Sequence, residues 1–176
     1  MYRVLITDDE KIEREGIKFL LAQEEGEYEI HEAANGRQAL NVLRSEKIDF
    51  LLTDIKMPHM DGLELASKVR EEYPNLPIVI FSGYSDFAFA QEAMHYGVND
   101  YVLKPVDPDT FHKTIVKVKA ELQSIRSQKQ KEEKGKNFLL QYFLQTYLYS
   151  GNEEVLKKAG EILDESNWEQ WHCAIL

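Results

Sequence analysis

Phe50-Leu51-Leu52-Thr53-Asp54-Ile55-Lys56-Met57-Pro58-His59-Met60-Asp61-Gly62 is an apolar run that ends in an acid and passes into a proline-containing loop. A short apolar run bounded by turn residues reads as a buried strand. Asp61-Gly62 then opens an amphipathic segment marked by Leu63, Leu65, Ala66 and Val69. Asp54 is thereby placed at the carboxyl end of a core strand, where open α/β sheets keep their ligand sites. An Asp at a strand end is often only a turn or cap residue. Its meaning depends on what the other strand ends carry.

Working outward, the same strand-then-helix unit repeats. Arg3 to Thr7 is a β-branched apolar strand ending at Asp8-Asp9, and Ile12, Ile17, Leu20 and Leu21 mark a following helix. Tyr28 to Ala33 alternates as a half-exposed strand, Asn35-Gly36 is a turn, and Ala39, Leu40 and Leu43 mark the second helix. Pro77 to Ser82 is a fourth strand, and Asp86 caps a helix carrying Phe87, Ala90, Ala93 and Met94 that stops at Gly97. Asp100 to Leu103 is a fifth strand, followed by Lys104-Pro105 and a long helix from about Pro108. Alternating strands and helices give a doubly wound parallel sheet. Right-handed crossovers favour the strand order 2-1-3-4-5, with the crevice beside strands 1 and 3.

All carboxyl ends of a parallel sheet lie on one edge. Asp8, Asp9, Asp54, Ser82 and Lys104 therefore meet there, although each has a bland reading alone. Asp8-Asp9 suits a helix N-terminus, Ser82 a turn, and Lys104 a solvated surface. Together, three carboxylates need a cation or shifted pKa values. Oxygen ligands suit a hard ion such as Mg²⁺, which keeps several waters and favours sites completed by phosphate oxygens. A carboxylate also serves as a nucleophile in acyl-phosphate formation. Asp54 is the best placed of the three acids, with Lys104 to neutralise phosphoryl oxygens and Ser82 to donate a hydrogen bond.

These pieces resemble the receiver domain of two-component response regulators. The resemblance rests on Asp8-Asp9, on Asp54 followed by Met57-Pro58-His59-Met60-Asp61-Gly62, on Ser82, and on Tyr101-Val102-Leu103-Lys104-Pro105, and covers residues 1 to about 120. It implies that Asp54 accepts a phosphoryl group from a sensor histidine kinase. It implies Mg²⁺ bound by Asp9, Asp54 and the Lys56 backbone carbonyl, with Asp8 acting through water, and Lys104 paired with the phosphoryl group. A cis bond before Pro105 is expected on the same ground. So is a switch in which Ser82 moves toward the phosphoryl group and the Tyr101 ring turns inward. Many receivers carry Thr-Ala where this chain has Ser82-Gly83; the hydroxyl is kept. Lys56 and Tyr84 stand where the family tunes acyl-phosphate lifetime. Phe81 to Ala90 with Gly97 to Tyr101 resembles, more narrowly, receivers joined to AraC-type helix-turn-helix transcription regulators.

Composition bounds the alternatives. With 43% hydrophobic and 30% charged residues the chain is ordinary globular material. A net charge of -10 argues against nucleic-acid binding through its general surface. Cys173 is the only cysteine, which excludes an intramolecular disulfide and suits a cytoplasmic location. No signal peptide or bilayer-spanning run is visible. The expected domains are a receiver over 1–120, a helical linker or coiled coil over 121–136, and an incomplete N-terminal part of a second domain over 137–176. Phe111, Ile115, Val118, Leu122 and Ile125 form an a/d seam, which suggests a homodimer through this helix and the apolar segment beyond it. Trp168, Trp171 and Cys173 to Leu176 read as the start of further structure. DNA contact is expected only through a domain absent from this chain. The chain is read as a phosphoryl acceptor rather than an enzyme. The alternatives are a receiver with a non-DNA output and a Mg²⁺-dependent phosphohydrolase working through an aspartyl-phosphate.

Overall fold

The computed structural model describes residues 1–83, 87–151 and 155. Five parallel strands lie in the order β2-β1-β3-β4-β5. They are β1 (Tyr2–Thr7), β2 (Tyr28–Ala33), β3 (Phe50–Asp54), β4 (Ile78–Ser82) and β5 (Asp100–Leu103). The helices are α1 (Lys11–Leu21), α2 (Gly36–Ser45), α3 (Gly62–Glu72), α4 (Phe87–His95) and α5 (Pro108–Ser150). This is the doubly wound arrangement expected from the sequence. The chain divides into two compact units, Met1–Gln123 and Ser124–Leu176.

Side-chain alternation along the strands builds two core layers, one on each face of the sheet. Leu5, Leu51, Ile78 and Ile80 face α2 and α3 and pack with Leu40, Leu43, Leu65, Val69 and Ala93. Val4, Ile6, Phe50, Leu52, Val79 and Phe81 face α1 and α5 and pack with Ile17, Leu21, Phe111 and Ile115. Strands β3 and β4 are apolar on both faces because both faces are covered, as a parallel sheet requires. Edge strand β2 is mostly half-buried instead.

Three readings change on contact with the structure. Val118 and Leu122 join the core layer under α5, so the a/d seam is spent on the receiver through Leu122. A stripe with that spacing serves a sheet as well as a partner helix. Ile12 and Met94 are 73% and 53% exposed, so neither belongs to the core face of its helix. Asn35-Gly36 is a helix start: Asn35 caps α2 through its side chain, accepting from Gln38 N–H at 3.0 Å.

In the second unit α5 carries exposed Phe138, Tyr142, Leu148 and Tyr149, all on residues read as the second domain. The expected helix from Val155 to Leu163 lies outside the described residues except for helical Val155. Trp168, Trp171 and the strand over Cys173 to Leu176 lie outside them too, as do Tyr84 and the Asp86 cap. No helix among the described residues is long and apolar enough to cross a membrane.

Candidate functional site: an acid and amine crevice at the sheet edge

The register fixes the site. Thr7 pairs with Thr53, Asp54 with Phe81, and Ser82 with Leu103, so β1, β3, β4 and β5 end level with one another. Asp8, Asp54 and Lys104 each lie at or just beyond one of these ends. The Lys104 ammonium sits 3.0 Å from Asp54 Oδ1 and 2.8 Å from Asp8 Oδ2. A third carboxylate, Glu13 Oε2, stands 3.4 Å from the same nitrogen.

Local structure aims each group. The second Asp54 oxygen accepts from Lys56 N–H at 2.8 Å, which folds the loop back on the acid. Asp8 Oδ1 accepts from Glu10 N–H at 2.9 Å, and the Asp8 carbonyl accepts from the Arg14 guanidinium at 2.7 Å. Arg14 is tied in turn to Glu32 on β2. Lys104 N–H donates to the Ser82 carbonyl at 2.7 Å, stapling the ends of β4 and β5. The Lys104–Pro105 bond is cis, as the resemblance implies. The loop after Asp54 turns through His59 at φ 69, and Met60 drops into the core. Asp61 caps α3, accepting from Leu63 and Glu64 N–H. The Lys56 ammonium lies 4.7 Å from the centre of the Phe89 ring on α4.

Electrostatics follow from three carboxylates around one ammonium. Burial raises the Asp54 carboxyl above its usual range; Lys104 only partly offsets this, and the charge of Asp8 adds to it. Burial alone would lower Lys104, but its bonds to Asp8 and Asp54 outweigh that and hold it well above its usual value. The two directions are compatible: the amine has anions to spare, while Asp54 is under-neutralised.

A divalent cation fits this shortage. The donors are all oxygens, and the Asp9 carboxylate is exposed and makes no hydrogen bond or ion pair among the described residues. No group of three or more His, Cys, Asp or Glu side chains forms a ready cage among the described residues.

The structure thus brings Asp8, Asp54 and Lys104 together, with the Lys56 backbone beside Asp54. Asp9 stays at the rim. Ser82 is fully buried at the end of β4, and Tyr101 is half-buried against the layer containing Ile80 and Ala93. Glu13 was missed by sequence reasoning. Its signal was position: it is the acid in the first turn of the helix that leaves the strand end.

The fold and the site define a class: a doubly wound α/β domain with an under-neutralised Asp at its switch point. Comparison narrows it. The response regulator receiver domain family matches residues 4–116. The chain belongs to that family. It is 37% identical over 123 residues to the transcriptional regulatory protein YesN of Bacillus subtilis, covering 69% of this chain and 33% of YesN. The receiver domain of AraT, a response regulator from Geobacillus stearothermophilus, superposes with TM-score 0.64 at 39% identity, covering 71% of this chain and 98% of that one. The response regulator TrrA from Thermotoga maritima, solved with Mg²⁺ and BeF, superposes with TM-score 0.61 at 32% identity, covering 67% and 99%. The chain spans about a third of the length of YesN.

Proposed function

We propose that this chain is the phosphorylation-controlled input of a transcription regulator. Asp54 accepts a phosphoryl group from a sensor histidine kinase. The observation that carries this is the Lys104 ammonium, 3.0 Å from an Asp54 carboxylate that burial leaves under-neutralised. The carboxylate oxygen attacks phosphorus, and the kinase imidazole leaves with the electron pair of the broken bond. Asp9, Asp54 and the Lys56 carbonyl would hold Mg²⁺, with Asp8 reaching it through water. Bound there, Mg²⁺ supplies positive charge to the phosphoryl oxygens. Lys104 keeps one oxygen paired throughout. Ser82 then moves toward the phosphoryl group, and Tyr101 turns into the space released, biasing α4, β5 and the start of α5. The protein is a phosphoryl acceptor that loses the group by its own hydrolysis, not an enzyme acting on a separate substrate. It works in the cytoplasm.

With Mg²⁺ and phosphoramidate, intact-mass measurement is expected to show one phosphoryl group added, absent in Asp54→Ala. The same mass gain in Asp54→Ala would refute the site. Turnover of a phosphate ester far beyond one equivalent would favour a phosphohydrolase instead.

The output reading rests on a regulator name among the relatives and on the AraC-type resemblance of residues 81–101. DNA contact belongs to a domain outside this chain. The exposed aromatic residues of α5 support a homodimer through its later part and the segment that follows. Light scattering is expected to give twice the monomer mass. A monomer at high concentration, with and without phosphorylation, removes the homodimer.

A further inference from the structure

Lys104 has three ammonium hydrogens and three carboxylate neighbours: Asp8 at 2.8 Å, Asp54 at 3.0 Å and Glu13 at 3.4 Å. Asp8 accepts a hydrogen bond from the ammonium, and Glu13 adds a looser ion-pair contact. A phosphoryl oxygen arriving at Lys104 competes with the carboxylates already drawn to it. Glu13 holds the longest of the three and is 43% exposed, against 9% for Asp8 and 12% for Asp54. Its carboxylate regains water on release, whereas theirs would be left buried and unpaired. Glu13 is therefore the neighbour that yields.

Position adds a second effect. Glu13, Gly16 and Phe19 from α1, with Lys104, Pro105 and Val106, line a groove of about 480 Å³. A methyl group at Gly16 would meet nothing within 4 Å, so the side of α1 next to Glu13 is open. Any anion reaching Lys104 from this side passes a negative charge. The protein's net charge of -10 gives that anion no general compensation.

We propose that Glu13 is a positioning residue that stays ion-paired with Lys104 until a phosphoryl group displaces it, and that its charge discriminates among small phosphodonors by their charge. The inference rests on Asp54 being the phosphoryl acceptor. In the step concerned, a bond forms between an Asp54 oxygen and phosphorus. With acetyl phosphate the phosphorus–oxygen bond to the acetyl group breaks, and acetate leaves with the electron pair. With phosphoramidate the phosphorus–nitrogen bond breaks, and the protonated nitrogen leaves as ammonia. Acetyl phosphate approaches as a dianion at neutral pH, phosphoramidate as a monoanion, so the Glu13 charge penalises the first more.

The test follows phosphorylation of the full chain over time by intact mass, with Mg²⁺ and each donor in turn. Removing the charge in Glu13→Gln is expected to speed acetyl phosphate by about fivefold and phosphoramidate by about twofold. Both gains should shrink as salt is raised. Glu13→Asp keeps the charge and should restore the wild-type ratio between the donors. A purely structural effect would move both donors equally and ignore salt, and that result overturns the proposal. So does an unchanged rate with both donors. Failure of the wild type to take up any phosphoryl group would overturn the acceptor reading itself. An Asp54→Ala control keeps the two failures distinguishable, because modification elsewhere would persist in it.

Discussion

Gly62→Ala is expected to unfold the protein at a markedly lower temperature and to disable the acceptor site, although Gly62 carries no chemistry. A Cβ built there would lie 2.0 Å from the Asp54 carbonyl oxygen and 3.0 Å from the Ile55 Cα. Both are backbone atoms of the strand end, so no side-chain rotation relieves the clash. Gly62 N–H also donates to the Ile55 carbonyl at 2.8 Å, holding the two segments close. Either this bond breaks and α3 backs away, or the end of β3 shifts and carries Asp54 off Lys104. The cost should be about 3 kcal/mol or more, the range for overpacking against backbone. That corresponds to a fall in Tm of roughly 10 °C. Gly36→Ala is the internal comparison. Its Cβ would meet Met60 Cγ at 2.6 Å and Cβ at 3.0 Å, side-chain atoms of one flexible residue and not backbone. It should lose clearly less. Equal melting of Gly62→Ala and the wild type would show that the strand end gives way without cost.

That result bears on what could be read from the residues alone. The β3 run and the Asp61 cap announce themselves, because a buried parallel strand must be continuously apolar and a helix start needs an acceptor side chain. The order of the strands followed from handedness, and the meeting of Asp8, Asp54 and Lys104 followed from the order. The close approach of Gly62 to the Asp54 backbone did not follow, since a glycine in a turn has several ordinary explanations. Nor did Glu13. A Glu in the first turns of a helix is common on electrostatic grounds, so nothing in its identity separates a solvated acid from one facing Lys104. The seam on α5 illustrates the opposite error. Phe111, Ile115, Val118 and Leu122 have coiled-coil spacing, but the sheet was the nearer apolar surface and took all four. Periodicity reports that a face is buried and leaves open by what.

Removing the ammonium that bridges Asp8 and Asp54 should produce the second large effect. In Lys104→Met the Asp8 and Asp54 side chains, 9% and 12% exposed, face each other without the ammonium that bridges them. Breaking a fully buried pair costs about 3–5 kcal/mol. Lys104 keeps 19% of its side chain in water, so a loss of about 2 kcal/mol at neutral pH is the reasonable expectation. The pH dependence gives the cause away. Asp54 already has its carboxyl raised by burial, and without Lys104 the raise grows. A carboxyl whose folded pKa exceeds its unfolded value costs nothing below the unfolded pKa. It destabilises progressively as pH climbs through the folded one. The variant should therefore melt close to the wild type near pH 4 and fall further behind toward pH 7. Lys104 itself, held above its usual value, withdraws its contribution only in the alkaline range and does not obscure this window. Millimolar Mg²⁺ at pH 7 should recover part of the loss, because a cation shared by the same carboxylates replaces the missing charge. Adding Asp54→Asn to Lys104→Met should recover much of it without metal, since the pair then leaves one buried charge instead of two. A pH-independent deficit, untouched by either Mg²⁺ or Asp54→Asn, would mean that Lys104 stabilises the fold by packing rather than by neutralising Asp8 and Asp54.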